Sequence, residues 1–255
     1  MQYQESLSNR DVGTCILSIS DLHIPFQKSI ETFSEYAGKI DILQINGDLV
    51  DAQAISRFNK VYRKSPMEEI LIARQYMIDL IEILQPKKVV VNYGNHDLRF
   101  QNYLAKNLDT DLLELMPKTS LELIFVDGFN HYNKELHTKV HYDPLTDVFK
   151  DSGIEIVYND TWFSFVGETI FVHPLAYSSG MLKTAEKAYR YFKDNDYFFD
   201  TIVMAHTHKT GHYDIGNSVI YEQGCCCETS KMDYADGKLT PSQREGFILV
   251  YQDKF

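Results

Sequence analysis

The 255-residue chain has no run of eighteen apolar residues, so no segment reads as a membrane-spanning helix. Its opening stretch, MQYQESLSNRDVGTC, lacks the basic and then apolar blocks of a secretory signal. Both absences set the expectation of a soluble, cytoplasmic protein with no membrane partner. Cysteine is scarce. Of four, Cys225, Cys226 and Cys227 are consecutive, a spacing that suits neither a disulfide framework nor a zinc knuckle, and Cys15 lies in an apolar run. Reduced thiols in or near a core are therefore expected. Basic residues are outnumbered: 25 Lys and Arg face 36 Asp and Glu, a formal net charge of -11. A field of that sign repels polyanions, which argues against strong tracking along duplex DNA and favours small or locally gripped substrates. Internal repeats and low-complexity linkers are absent too. With 44% hydrophobic and 13% aromatic content, residues 1–255 read as one folded domain.

What is present is a series of short apolar runs of strand length, at 14–20, 40–46, 87–93, 169–173, 200–206, 218–224 and 246–252. The early ones are continuous rather than alternating, as expected for strands covered on both faces. Between them lie helical patterns. The stretch 65–86 opens on a Ser-Pro start signal, carries apolar residues at helical spacing and stops before Pro86. Residues 99–116, 119–126 and 180–195 also read as helices. Alternation of strand and helix, then mostly strands, predicts an α/β layered protein with sheets inside and helices outside. Residues 127–152 show the weakest periodicity and read as an irregular excursion or cap bordering the substrate site.

Several of these runs end in residues that bind metals. ILSISDLH ends in Asp21 and His23, LQINGDLVD in Asp48 and Asp51, VVVNYGNHD in Asn95, His96 and Asp97, TIFVHP in His173, and IVMAHTH in His206 and His208. Ligands of open α/β sheets sit at the carboxyl ends of strands, so these five ends can converge on one place. Two divalent cations about 3.5–4 Å apart need a bridging carboxylate plus imidazoles, further carboxylates and an amide oxygen. A donor set of His, Asp and Asn without thiolate suits Mn, Fe, Zn, Ni or Co. Gly47 and Gly94, each just before a candidate ligand, would let the backbone turn tightly there.

The ordered set D-x-H at 21–23, G-D-x-x-D at 47–51, G-N-H-D at 94–97, a lone His173 and x-H-x-H at 205–208 resembles the calcineurin-like metallophosphoesterase superfamily, over residues 14 to 224. The resemblance implies a four-layer α/β/β/α sandwich, two mixed sheets flanked by helices, with a dinuclear site at one edge. It implies Asp21, His23 and His208 as ligands of one divalent ion, with manganese the first choice. Asn95, His173 and His206 would hold the other, and Asp48 would bridge. His96 corresponds to the substrate-facing histidine and Asp51 to the carboxylate that orients it. Ala205 departs from the family's usual glycine, a small change because alanine also packs closely. Ala52 and Asp97 depart from the protein-phosphatase pattern, which carries Arg and Glu there. The chain is thus more similar to phosphodiesterases and DNA-repair exonuclease-like members acting on a nucleotide or nucleic-acid end. The alternatives are a phosphomonoesterase acting on nucleotides or other small phosphates, and a scaffold of the same fold that has lost its chemistry.

Other candidates carry a plainer reading beside the functional one. Arg99 is a phosphate contact or a helix-face ion pair, and His212 a substrate contact or a surface residue. His131, His137 and His141 fall in the excursion and read as exposed loop histidines. The aromatic run 188–199 suits a packed helix face better than a base-stacking platform.

Overall fold

The computed structural model describes residues 13–57, 63–178, 180, 182–232 and 243–252. The opening residues 1–12 and position 181 of the expected helix 180–195 therefore lie outside the described residues. Among the described residues there are twelve strands: β1 (Thr14–Ile19), β2 (Ile42–Asn46), β3 (Lys88–Asn92), β4 (Phe129–Asn133), β5 (Thr138–Tyr142), β6 (Glu155–Tyr158), β7 (Phe163–Val166), β8 (Thr169–Val172), β9 (Thr201–Met204), β10 (Thr210–Ile215), β11 (Ser218–Gln223) and β12 (Ile248–Gln252). The α-helices are α1 (Pro66–Leu84), α2 (Arg99–Asn107), α3 (Thr110–Leu113), α4 (Ser120–Glu122), α5 (Leu145–Val148) and α6 (Lys183–Asp194). Among the described residues no helix is long and apolar enough to cross a membrane.

Two five-stranded mixed sheets form, in the orders β12-β1-β2-β3-β6 and β10-β11-β9-β8-β7. Strands β1, β2, β3 and β6 run parallel, with β12 antiparallel at the edge. In the second sheet β8, β9 and β11 are parallel and both edge strands antiparallel. Because side chains alternate along a strand, each strand feeds two layers. Leu17, Ile19, Leu43, Ile45, Val89 and Val91 pack under α1. Ile16, Ile42 and Val90 meet Val166, Phe171 and Val203 of the other sheet. On that sheet's far side Ile170, Val172, Ile202 and Met204 pack with Ala185, Ala188 and Phe192 of α6. The order is helix, sheet, sheet, helix.

Helix α1 starts where its sequence says. Ser65 caps the Glu68 amide while the Glu68 carboxylate reaches back to the Ser65 amide, Pro66 takes the first turn, and Gln85 leaves in a left-handed conformation before Pro86.

The face between the sheets changes character along the strands. It is apolar at Ile16, Ile42 and Val90 and becomes polar two residues later, at Ser18, Gln44 and Asn92, then Asn46. These groups bond across the gap. Ser18 donates to Gln223 Oε1 at 2.7 Å, Ser164 to Gln44 Oε1 at 3.1 Å, and Asn46 Nδ2 to the Val172 and Val203 carbonyls at 3.2 and 3.3 Å. Asn92 Nδ2 donates across the gap to the Phe171 carbonyl and, within its own sheet, to Asn46 Oδ1, both at 3.2 Å. The amides fix the register of one sheet on the other just before the chain leaves the strands.

Some expectations are corrected. The segment 127–152 is not irregular: β4 and β5 form a hairpin, Phe129 stacks on Tyr142, and Leu145 and Phe149 enter the main core. Its half-exposed strands mix aromatic with polar residues, which hid the period. The helix expected over 99–116 breaks at Leu108, because Asp109 caps a new turn by accepting from the Asp111 amide at 3.1 Å. The helix expected over 119–126 is one α-turn followed by a π-turn at Leu123–Asp127. The unforeseen β6, β7 and β10 are sheet edges, partnered on one side only.

Replacing Asn92 with Leu removes the cross-sheet donor to the Phe171 carbonyl and the donor to Asn46 Oδ1, leaving buried acceptors unpaired, so unfolding in urea should become easier by about 1–3 kcal/mol. An unchanged midpoint would contradict a structural role for this amide seam.

Candidate functional site

The polar seam ends in a cluster built by the loops after five strands. After β1, Asp21 and His23 adopt left-handed backbone angles, as do Asp48 after β2 and His206 and His208 after β9. Non-glycine residues there cost on the order of 1–3 kcal/mol each and persist only when their surroundings hold them. Here the surroundings are specific. The amides of Asp21, His23 and Ile24 donate to the carbonyls of Gly47, Asp48 and Leu49 at 3.0–3.1 Å, so the first two loops run on as a stitched pair beyond the sheet. Two glycines make room for the cluster. A Cβ at Gly47, whose φ is +82°, would overlap the His173 ring, and one at Gly94 would overlap Asp48. Gly94 thus serves close approach rather than an unusual turn.

Two groups of donors face each other. In the first, His208 Nε2 lies 3.1 Å from Asp21 Oδ1 and 3.0 Å from His23 Nε2. In the second, His173 Nε2 lies 3.3 Å from both Asp48 Oδ2 and Asn95 Oδ1, and His206 completes the group with Asp48 and His173. Asp48 Oδ2 is also 3.8 Å from His23 Nε2, so this one oxygen faces both groups. Each carboxylate is anchored on its other oxygen: Asp21 Oδ2 accepts from Ser20 and the His206 amide, and Asp48 Oδ1 accepts from the His96 amide at 2.7 Å. The imidazoles are aimed likewise. His173 Nδ1 donates to the Asn46 carbonyl at 2.9 Å and His23 Nδ1 meets Asp51 Oδ1 at 3.2 Å, which turns each Nε2 inward.

These residues fit divalent cations. His206 Nε2 is buried with no hydrogen-bond partner, and the facing Nε2 atoms of His23 and His208 cannot both present lone pairs without a proton or cation between them. The inward donors are oxygen and imidazole nitrogen throughout, with no thiolate.

Without a cation, protons hold the cluster together. Burial opposes charge on His23, but Asp21, Asp51 and Asp48 outweigh it and lift its pKa to about 9. His173 likewise rises to about 9 against burial, through Asp48 and Asp21, and His208 is raised well above its ordinary value by Asp21. Burial and the neighbouring His173 push His206 down to about 4. Asp21, Asp48 and Asp51 stay below the usual carboxylate range because the facing imidazoles overcome their burial.

His96 and Asp51 stand beside this cluster. His96 Nδ1 is 2.9 Å from Asp51 Oδ1, the oxygen that also meets His23, and the His96 ring lies edge-on to His23 at 4.3 Å. Arg99 donates to the Asp51 carbonyl at 2.8 Å and contacts His96 Nε2 at 2.9 Å. Burial lowers the pKa of His96. Arg99 and Asn95 line a cavity of about 660 Å³, together with Arg57, Asn102, Tyr103 and Lys106. Residues 127–152 are not among those lining it. His212 is exposed on β10 and stacks on Tyr221.

Two buried acids carry parts the sequence reading did not assign. Asp97 Oδ2 accepts from the Asp48 and Gly94 amides, both at 2.8 Å, and so clamps the second strand-end loop to the third. Its pKa rises to about 7 through burial and the nearby Asp48. Glu69 of α1 accepts from the Ala52 and Gln53 amides at 2.6 and 3.0 Å and fixes the loop that carries Asp51. The last residue of G-N-H-D was the visible signal for Asp97. Glu69 offered none beyond an acid on the apolar side of a helix.

A histidine whose folded pKa lies near 9 instead of 6.5 stabilises the folded state fully below pH 6.5 and loses that contribution as pH rises through 9. The metal-stripped protein should therefore show a Tm that declines from pH 6.5 to 9, and saturating Mn should remove the decline. A flat metal-free profile would contradict the proton-held cluster.

The family model described as calcineurin-like phosphoesterase matches residues 16–210. No curated protein matches the chain. Among solved structures, the chain is similar to Vacuolar Protein Sorting 29 from Cryptosporidium parvum, at 18% identity and TM-score 0.42, covering 94% of this chain and 86% of that one. It is also similar to an archaeal phosphodiesterase, at 13% identity and TM-score 0.36 over 93% and 99% of the two chains. A metallophosphoesterase from Sphaerobacter thermophilus aligns at 13% identity and TM-score 0.37, over 84% of this chain and 77% of its own. The matched span runs from the first core strand to the start of β10 and takes in every strand end that feeds the cluster, and on that match the chain belongs to the calcineurin-like phosphoesterase family.

Proposed function

We propose that this chain is a metal-dependent phosphohydrolase acting on phosphodiesters of nucleotides or nucleic-acid ends. The observation that carries this reading is Asp48 Oδ2, which faces His173 on one side and His23 on the other with His96 close by. Asp21, His23 and His208 would hold one divalent ion, Asn95, His173 and His206 a second, and Asp48 would bridge. Manganese is the first choice, with Fe, Zn, Ni or Co compatible with the same donors. Bound ions of this kind supply Lewis acidity toward phosphoryl oxygens and lower the pKa of an attacking water.

The chain's own residues do the rest. Asp51 holds His96 by Nδ1, which leaves Nε2 as the atom able to pass a proton to a leaving oxygen. Arg99 contacts that Nε2 and lines the cavity, so a phosphate entering beside Asn95 would take over the guanidinium's donors and free the imidazole. Beyond the cluster, Arg57, Arg99 and Lys106 give the cavity a cationic wall in a chain of net charge -11. That local reversal favours a substrate with a further phosphate flanking the scissile one, hence a nucleotide chain over a simple monoester. The four cysteines are free thiols, which suits a cytoplasmic protein.

Replacing His96 with Ala should lower kcat by ~10²–10⁴ on bis-p-nitrophenyl phosphate while elemental analysis shows unchanged metal content. The unaltered enzyme should hydrolyse that diester faster than p-nitrophenyl phosphate. Equal loss of metal in the variant, or a strong monoester preference, would contradict the respective assignment, and no turnover under any of these metals would favour a scaffold.

A further inference from the structure

Three consecutive cysteines fall outside the chemistry above, and the fold separates them. The segment is extended: the Cys226 amide donates to the Ser20 carbonyl at 2.9 Å, and Cys225 and Cys227 make β-bridges to Glu245 and Gln27. Alternation then sends Cys226 into the main core and puts Cys225 and Cys227 on the opposite side. There they form a small buried cluster with Met232, whose Sδ lies 3.1 Å from Cys227 Sγ. Read as C-x-C in an extended chain, the run has two thiols on one face, a spacing that consecutive numbering disguises.

His208 closes the cluster. A ring nitrogen of this residue and the two thiol sulfurs lie within 4.8 Å of one another. Its Nε2 is turned to Asp21 and His23, so the nitrogen facing the sulfurs is Nδ1, which is buried with no nitrogen or oxygen partner and has the Cys225 thiol beside it. Burying a polar atom with only a weak thiol partner is costly, and a cation held jointly with the sulfurs would relieve it.

We infer that Cys225, Cys227, Met232 and His208 Nδ1 form a second metal site, sulfur-rich, which takes a thiophilic d¹⁰ cation, zinc or copper(I). Two thiols, a thioether and an imidazole are the donors that select such ions over the oxygen-seeking ones. Small rotations of the two cysteine side chains would bring both sulfurs to ~2.3 Å from a common ion. On binding, each thiol would release its proton to solvent and His208 would release the one on Nδ1, since its Nε2 is engaged with the hydrolytic cluster. The site is distinct from the hydrolytic cluster and needs no phosphoesterase activity. It shares one ring with it, and an ion there would steady His208 from behind.

Cadmium serves as the probe. Titrated into the reduced full-length chain after saturation with Mn, it should give a thiolate-to-metal charge-transfer band that saturates at one equivalent. The Cys225→Ser, Cys227→Ser double variant should lose the band, and Asp48→Asn should keep it even where hydrolysis is lost. No band in the unaltered chain overturns the site. A band undiminished in the double variant, arising then from Cys15 or Cys226, overturns it as well. Should the double variant fail to fold, zinc-edge X-ray absorption of the unaltered chain decides: two sulfurs at ~2.3 Å support the site, and a shell of nitrogen and oxygen alone overturns it. Met232→Leu tests the thioether: a tenfold weaker copper(I) affinity supports its place among the donors, and an unchanged affinity removes it.

Discussion

The structure turns on confining opposite charges in a small volume from which water is excluded. Asp21, Asp48 and Asp51 are fully or almost fully buried, and so are His23, His173 and His208 facing them. At an interior dielectric these groups attract strongly when paired and are very costly when not. The protein therefore holds them in fixed pairs. Asp21 and Asp48 each give one oxygen to protein donors and present the other, and His23 and His173 are pinned through Nδ1 so that Nε2 faces inward. Five residues of the cluster sit in left-handed backbone conformations, strain that the stitched loops and the Asp97 clamp keep in place.

That confinement explains the unusual interior between the sheets. A purely apolar seam would pack as well, yet a sliding register would move every strand end. Asn46 and Asn92 cross the seam and bond to carbonyls of β8 and β9, the strands that carry His173 and the pair 206/208. The amides thus tie ligand-bearing ends of one sheet to those of the other. The same reasoning gives Glu69 its place, since it fixes from a helix the loop that holds Asp51.

Much of this was legible in the sequence because the strand-end residues are chemically conspicuous. A carboxylate or imidazole closing an apolar run has few bland explanations, and the set in order pointed to one meeting place. The capped helix at 66–84 was legible for a similar local reason. What stayed hidden depends on long-range packing. Edge strands such as β10, with TGHYDI, are half solvated and carry little pattern. Asp97 looks like another ligand until the fold shows it receiving backbone amides. Arg99 was open between a phosphate contact and an ion pair, and the structure places it against His96 and along the cavity. His212, next to the last motif in sequence, lies on the exposed edge strand because alternation turns it outward.

The central claim is that the facing groups are built around two cations with Asp48 between them. Anomalous X-ray scattering from crystals grown with manganese measures this directly. The account expects two peaks ~3.5–4 Å apart, one against Asp21, His23 and His208 and the other against Asn95, His173 and His206, with an Asp48 oxygen touching both. A lone peak, or two peaks that Asp48 does not join, would contradict it.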